Sequence, residues 1–291
     1  MDWNLRWTGE VETNVGAAVL RSSTVGSGSE TLELLSLGEP EPTHRPPLLF
    51  VHGAYSGAWV WEPHFMPWFA AKGWACHAMS LRGHGKSTGR KRVEEFGIRD
   101  FVDDVLAVIA TFDEPPVLIG HSLGALVAQY CLARAPLAGL ALLAAVPPTG
   151  MAAVNSWLAL TDPLLCFHMA GIASFGKRWI APEANVEALF AGPVTETQWT
   201  FLKRRYQRES SRALIEAQLP SPVPSAMAGR TPTLVIAPAR DRLIPAETGR
   251  FTALYHGGSY VLVPGLGHAL MLDQGWEGAA EPLHTWLGGL V

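Results

Sequence analysis

The chain of 291 residues has only three cysteines, Cys76, Cys131 and Cys166, and no Cys-x-x-Cys pair. That spacing writes neither a zinc site nor a disulfide framework, and it fits a reducing, cytoplasmic setting best. Charge is sparse too: 16% of residues are charged, 22 basic against 26 acidic, for a net charge of −4. With 48% hydrophobic residues the chain has too much apolar surface to stay disordered. It also lacks the basic excess that would draw it to nucleic acid. No stretch reaches the roughly 18 uninterrupted apolar residues that a membrane span requires, so no transmembrane anchor is expected. The opening Met1 to Arg6 contains Asp2 and leads into no apolar run, so no secretory signal is expected either. No His, Cys, Asp and Glu cluster has metal-ligand spacing, and no Gly-x-Gly-x-x-Gly follows a strand. Neither a metal nor a cofactor is expected, and nothing in the sequence gives an oligomeric state.

What is present is a pattern of short apolar runs alternating with longer amphipathic stretches, which is how a parallel sheet with crossover helices is written. Two short strands are expected first, at Ala17 to Arg21 and Thr31 to Leu37, divided by Gly26-Ser27-Gly28 and forming an antiparallel edge. Buried strands follow at Pro47 to Val51, Ala75 to Leu81, Pro116 to Gly120, Gly139 to Ala145, Pro232 to Ala237 and Ser259 to Pro264. Phe101, Val105, Val108 and Ile109 share one helical face, and Leu123 to Ala133 reads as a buried helix. Residues 147–222 carry Trp157, Phe167, Trp179, Phe190, Trp199 and Phe201 but no strand-like run. The expected organisation is a sheet domain made of residues 1–146 and 223–291, interrupted by a helical cap at 147–222.

Gly-x-Ser-x-Gly occurs twice, at Gly120 to Gly124 and at Gly85 to Gly89, and the context separates the two. Ser122 follows the apolar run Val117-Leu118-Ile119 and precedes a helical pattern, the strand, sharp turn and helix that lift a serine oxygen clear of a sheet. Ser87, with neither a strand before it nor a helix after it, is assigned with His84 to a surface turn. A serine hydroxyl needs a base, and the base needs a group that fixes its tautomer and stabilises the imidazolium. In this topology the acid and the histidine come after later strands, in the order Ser, Asp, His. Asp241 lies just past Leu234 to Ala237, and His268 lies 27 residues on, past Tyr260 to Pro264. The other histidines lack such placement: His44 and His64 read as surface residues, His77 as a strand residue, His256 and His284 as lying in or near helices. An oxyanion needs two backbone donors. Leu123 directly follows the nucleophile, and Ala54 follows Gly53 in the loop His52-Gly53-Ala54-Tyr55, so these two N–H groups are the candidates. Tyr55 and His121 are candidate substrate contacts.

His52-Gly53, the run Leu81-Arg82-Gly83-His84-Gly85-Lys86-Ser87, the Gly120 to Gly124 turn, Arg240-Asp241 and Gly267-His268 together resemble the α/β-hydrolase superfamily, most closely its lysophospholipase-like or monoacylglycerol-lipase-like esterases. The resemblance implies an α/β fold with an eight-stranded, mostly parallel sheet flanked by helices, a helical cap over Ser122, and a triad of Ser122, His268 and Asp241. Ala125 and Ser80 depart from the usual glycine and aspartate at those places. Serine at the turn differs from the aspartate of haloalkane dehalogenases and epoxide hydrolases. Ala269 differs from the aromatic residue of carbon–carbon hydrolases of aromatic ring cleavage, whereas His52 to Trp61 is similar to plant methyl-ester esterases and hydroxynitrile lyases. The implied activity is hydrolysis of a small, apolar or aromatic carboxylic ester through an acyl-enzyme. Lactone, thioester or carbon–carbon cleavage, or a lyase reaction, on the same triad are the alternatives. The basic run Lys203 to Arg208, with Arg212, reads as a solvated helix face, with an anionic head group as the alternative.

Overall fold

The computed structural model describes residues 19–38, 45–175, 186–219 and 221–291. An eight-stranded sheet runs through them in the order β1-β2-β4-β3-β5-β6-β7-β8. The strands are β1 (Arg21–Ser27), β2 (Glu30–Leu37), β3 (Leu48–Val51), β4 (Cys76–Met79), β5 (Val117–His121), β6 (Gly139–Leu143), β7 (Thr233–Pro238) and β8 (Ser259–Val263). β1 and β2 pair antiparallel, as do β2 and β4, and every later pairing is parallel.

Period-two alternation divides the central strands between two cores. Leu48 and Phe50, Val117 and Ile119, Ala141 and Leu143, and Leu234 and Ile236 all face one layer. Leu49 and Val51, Leu118, Leu140 and Leu142, and Val235 face the other. With both faces covered, these strands carry no polar alternation, which is why they read as continuous apolar runs.

The first layer is built with α1 (Phe65–Ala70), and the second with α2 (Ile98–Ile109) and α3 (Leu123–Cys131). The expected stripe of α2, Phe101, Val105, Val108 and Ile109, is buried in the second core. Its start is fixed by Asp100, whose carboxylate accepts the Gly97 N–H at 2.8 Å.

Between β6 and β7 the described residues form α4 (Ala152–Thr161), α5 (Pro163–Phe175), α6 (Glu196–Arg205), α7 (Ser211–Glu216) and α8 (Ala226–Gly229), with no strand among them. After β7 come α9 (Ala246–His256) and α10 (Glu277–Gly288), the last returning Leu283 and Leu287 to the first core. Helix α6 opens on a reciprocal cap, in which Thr195 Oγ accepts the Gln198 N–H and Gln198 Oε1 accepts the Thr195 N–H. Its last turn holds only Lys203, Arg204 and Arg205 of the basic run, whereas Arg208 lies past the helix end and Arg212 in α7, so the run does not form one helix face. Arg205 lies over the Phe201 ring at 4.2 Å, Arg208 pairs with Glu94 at 2.6 Å and Arg212 with Glu216 at 2.8 Å. Phe190 and Phe201 are buried, Trp157 and Phe167 are exposed, and Trp179 lies outside the described residues.

Three further expectations are corrected. The first strand begins at Arg21 instead of ending there, and runs through Gly26 to Ser27, because pairing of Gly26 with Thr31 along the ladder outweighs the weak strand preference of glycine. Gly28-Ser29 alone makes the turn, with Gly28 at φ +60°. His64 is not a surface residue: it is buried and stacks on Trp276 at 4.9 Å. Ser87 and His84 are also buried. Ser87 Oγ donates to the Ser80 carbonyl at 2.6 Å and accepts the Glu33 N–H at 2.9 Å, so the Gly-rich run is packed under the sheet edge. Expected residues 17–18 and His44 lie outside the described residues.

Phe50 stands at the centre of the first core, 5.0 Å from the Trp61 ring and 6.1 Å from Phe69. Phe50→Ala is expected to lower stability by about 3–5 kcal/mol, read as a reduced urea midpoint at unchanged slope.

Candidate active site

The ends of three parallel strands bring Ser122, Asp241 and His268 together. Ser122 directly follows β5 at φ +52°, a left-handed conformation that serine rarely adopts. Its neighbours permit it. A Cβ on Gly120 would lie 2.6 Å from the Gly124 carbonyl oxygen, and one on Gly124 would run into the His52 carbonyl oxygen. Helix α3 therefore starts directly against the loop that follows β3.

His268 Nε2 lies 2.9 Å from Ser122 Oγ, and His268 Nδ1 lies 2.8 Å from Asp241 Oδ2. The other oxygen of Asp241 accepts the N–H groups of Leu243 and Ile244 at 2.8 and 2.9 Å. The carboxylate is thus held from its own loop and can only accept from Nδ1–H, which leaves Nε2 unprotonated and facing the serine. Such an arrangement can take a proton from the hydroxyl and stabilise the imidazolium that forms.

His121 Nε2 donates to the His268 carbonyl oxygen at 2.9 Å, and its ring stands 4.9 Å from that of His268. The residue expected to touch substrate therefore also anchors the main chain of the base. Burial, then the nearby His268, pushes His121 down to about 3, so it stays a neutral donor.

The loop after β3 crosses the serine turn so closely that a Cβ on Gly53 would lie 2.9 Å from Ser122 Cβ. His52 fixes the start of this loop: its Nε2 accepts the Leu81 N–H at 3.1 Å while its Nδ1 donates to the Gly53 carbonyl at 2.7 Å. Burial, reinforced by His84, lowers His52 to about 3. Ala54 and Leu123 both line the space above Ser122, and among the described residues neither backbone N–H has an acceptor. Tyr55 follows at φ +63°, stacked on Tyr206 with centroids 5.2 Å apart and rings 7° from parallel.

Above Ser122 and His268 lies a cavity of about 790 Å³. The segment between β6 and β7 supplies much of its wall, including Met151, Leu158, Met169, Leu189, Trp199 and Leu202. The lining is largely apolar, with Tyr55 and His121 at its floor. Among the described residues no group of three His, Cys, Asp or Glu side chains could hold a metal ion, and no helix is long and apolar enough to cross a membrane.

Glu209 and Gln207 are site residues that sequence reasoning missed. Glu209 Oε2 accepts the Tyr55 N–H at 3.0 Å and bonds His84 Nε2 at 3.1 Å. Gln207 Nε2 donates to the Ser56 carbonyl at 3.2 Å. Both lie in a run of polar residues that carries no periodic signal of burial, so nothing local marked them.

The two lowered histidines of the site, His52 and His121, contribute a pH dependence. In the unfolded chain they take up protons near the ordinary value of about 6.5, whereas in the fold they do so only near 3. Stability is therefore lost as pH falls below about 6.5, because the unfolded state binds the extra protons. His121→Asn, which keeps a donor for the His268 carbonyl, is expected to lose less stability than wild type between pH 6.5 and 4. Thermal unfolding across that range shows it as a shrinking wild-type advantage.

Among curated proteins, a 91-residue stretch is 35% identical to the "Putative non-heme bromoperoxidase BpoC" of two Mycobacterium tuberculosis strains. The match covers 31% of this chain and 34% of the relative, so the chain spans about a third of that protein's length. Among solved structures, a "putative aryl esterase" from Burkholderia cenocepacia superposes with a TM-score of 0.68 at 20% identity, covering 93% of this chain and 99% of that one. The 2-hydroxy-6-oxo-6-phenylhexa-2,4-dienoate hydrolase (BphD) from Rhodococcus sp. strain RHA1 does so with a TM-score of 0.67 at 20% identity, covering 92% and 99%. At these identities the structural likeness concerns the fold. The sequence model of the alpha/beta hydrolase family matches residues 48–281, and the chain belongs to that family.

Proposed function

We propose that the chain is a cofactor-independent carboxylic ester hydrolase that works through an acyl-enzyme on Ser122. The observation that carries this reading is the hydrogen-bonded line from Asp241 through His268 to Ser122, beneath an apolar cavity and beside two unengaged backbone N–H groups. His268 Nε2 takes the Ser122 proton as Oγ bonds to the acyl carbon. The Ala54 and Leu123 N–H groups hold the resulting oxyanion. Collapse breaks the ester C–O bond, and His268 returns the proton to the leaving alkoxide. Water, deprotonated by the same nitrogen, then attacks the acyl-enzyme, and Ser122 Oγ leaves with that proton. Asp241 keeps Nδ1 protonated and balances the positive ring in both half-reactions.

The substrate class follows from the cavity: an apolar or aromatic small-molecule ester, in keeping with the lysophospholipase-like or monoacylglycerol-lipase-like resemblance. Its walls present side chains such as Met169 and Leu158 to the acyl group, and the charged Lys203 among its lining residues is exposed.

Ser122→Ala, folded by circular dichroism, is expected to lower kcat for p-nitrophenyl esters by more than about 10³-fold. Rapid quench of the wild-type enzyme should show the acyl mass on Ser122. A variant turning over at the wild-type rate would overturn the proposal, and turnover with no acyl adduct would point to lyase or carbon–carbon chemistry on the same residues. Across p-nitrophenyl acetate, butyrate, hexanoate and octanoate, kcat/KM is expected to rise, by up to roughly fourfold per methylene if each buries about 0.8 kcal/mol of apolar surface. A series that falls with acyl length would contradict an acyl-filled cavity.

A further inference from the structure

The segment that supplies much of the cavity wall also grips the loop beneath it. Tyr206 stacks on Tyr55, and the Gln207 N–H reaches the Tyr55 carbonyl oxygen at 3.4 Å. Gln207 Oε1 accepts the Gly85 N–H at 3.1 Å, and its amide nitrogen donates to the Ser56 carbonyl. Glu209 is buried, and its two oxygens are divided: Oε1 accepts the Ser210 N–H at 2.8 Å, while Oε2 accepts the Tyr55 N–H at 3.0 Å. His84, also buried, meets the same Oε2 at 3.1 Å and faces the Arg82 carbonyl oxygen at 3.0 Å from Nδ1. Both its nitrogens therefore face acceptors, the pattern of an imidazolium. Burial works against the His84 charge, but the Glu209 charge and hydrogen bond, with the Arg82 carbonyl and Asp104, together hold His84 above its ordinary value. The same pairing holds Glu209 below the usual carboxylate range.

The contact is chemically specific. Tyr55 sits in a left-handed conformation with no glycine to ease it, so something outside the loop must hold it there. Tyr55 is the residue after Ala54, whose own N–H belongs to the preceding Gly53–Ala54 peptide, held at the Gly53 carbonyl by His52 Nδ1 at 2.7 Å and Ser56 Oγ at 2.8 Å. A carboxylate fixing the Tyr55 N–H fixes the peptide on the other side of the Ala54 Cα, so that with both planes held the Ala54 backbone cannot turn its N–H away. It also occupies the Tyr55 N–H, so that this N–H does not compete with that of Ala54.

We infer that Glu209, held by His84, is a positioning residue for the oxyanion-binding loop, so that the segment between β6 and β7 both encloses the substrate and aligns the Ala54 N–H. This inference rests on the proposed acyl-enzyme route, in which Ala54 is an oxyanion donor. Because the oxyanion is common to every ester, loss of the positioning contact reduces kcat equally for short and long acyl groups. A role confined to keeping the cavity wall in place would instead raise KM for long acyl groups and spare the acetyl ester.

The test compares Glu209→Ala and Glu209→Gln with wild type on p-nitrophenyl acetate and octanoate. Glu209→Ala is expected to lower kcat about 10- to 100-fold on both esters, below the 10²- to 10³-fold typical of losing an oxyanion donor outright, with KM within about twofold. Glu209→Gln keeps an acceptor for the Tyr55 N–H and should restore part of the loss. Wild-type kcat in folded Glu209→Ala, or a loss confined to octanoate, overturns the inference. If Glu209→Ala does not fold, Glu209→Gln decides: a kcat reduced several-fold at unchanged KM supports the inference, and wild-type kcat overturns it. Ser122→Ala serves as the reference. If it retains activity the acyl-enzyme reading fails, whereas an inactive Ser122→Ala beside a fully active Glu209→Ala refutes the positioning role alone.

Discussion

The structure turns on how closely three pieces of backbone approach one another at the end of β5. Ser122 is left-handed, Gly120 and Gly124 press the strand and helix of the turn together, and Gly53 passes against the serine itself. No side chain fits at these three glycines without displacing backbone or ring atoms, so the approach is a steric constraint before it is a chemical one. Once it is met, α3 begins directly behind the serine, and Leu123 and Ala54 line the same space above it. Strained backbone at such a point persists because its surroundings over-determine it.

Those surroundings are polar and buried, and they are arranged in layers. Asp241 is held by two N–H groups of its own loop, His268 by Asp241 through its ring and by His121 through its carbonyl. His52 ties the loop after β3 to the exit of β4, and the pair of His84 and Glu209 ties it to the segment before β7. His52, His121 and His84 are each biased in their protonation by what they face. His52 and His121 stay neutral because burial costs a charge more than any neighbour returns, while His84 faces a carboxylate that holds it above its ordinary value. One residue type thus supplies a neutral strut, a neutral anchor and half of an ion pair, and the environment makes the distinction.

The sheet was legible because strands covered on both faces must be apolar throughout, as Leu48 to Val51 and Leu140 to Leu143 are, and because the intervening helix α2 carries a single apolar stripe. Ser122, Asp241 and His268 were legible because each lies just past a strand end, and the parallel strands β5, β7 and β8, with only β6 among them, bring those ends to one edge of the sheet. The first strand was misplaced because β1 is an exposed edge, where hydrophobic pattern is weak and ladder pairing decides the extent. His64, His84 and Ser87 were misjudged for a related reason: a polar residue in a glycine-rich or loop-like stretch looks solvated unless its partner is known, and the partners here come from elsewhere. Glu209 lies 125 residues from His84 and 154 from Tyr55.

By itself, then, the sequence determined the fold class, the two-sided burial of the central strands and the three residues that meet above β5. Those follow from periodicity and from short-range turn chemistry, which act over a few residues at a time. Tertiary structure alone decided the volume above Ser122, the burial of the Gly-rich run, and the contact of Glu209 with both His84 and the loop beside the serine. These depend on which distant segments share a space, and the free energy of a buried polar group is set by the partner it finds there, not by its neighbours along the chain.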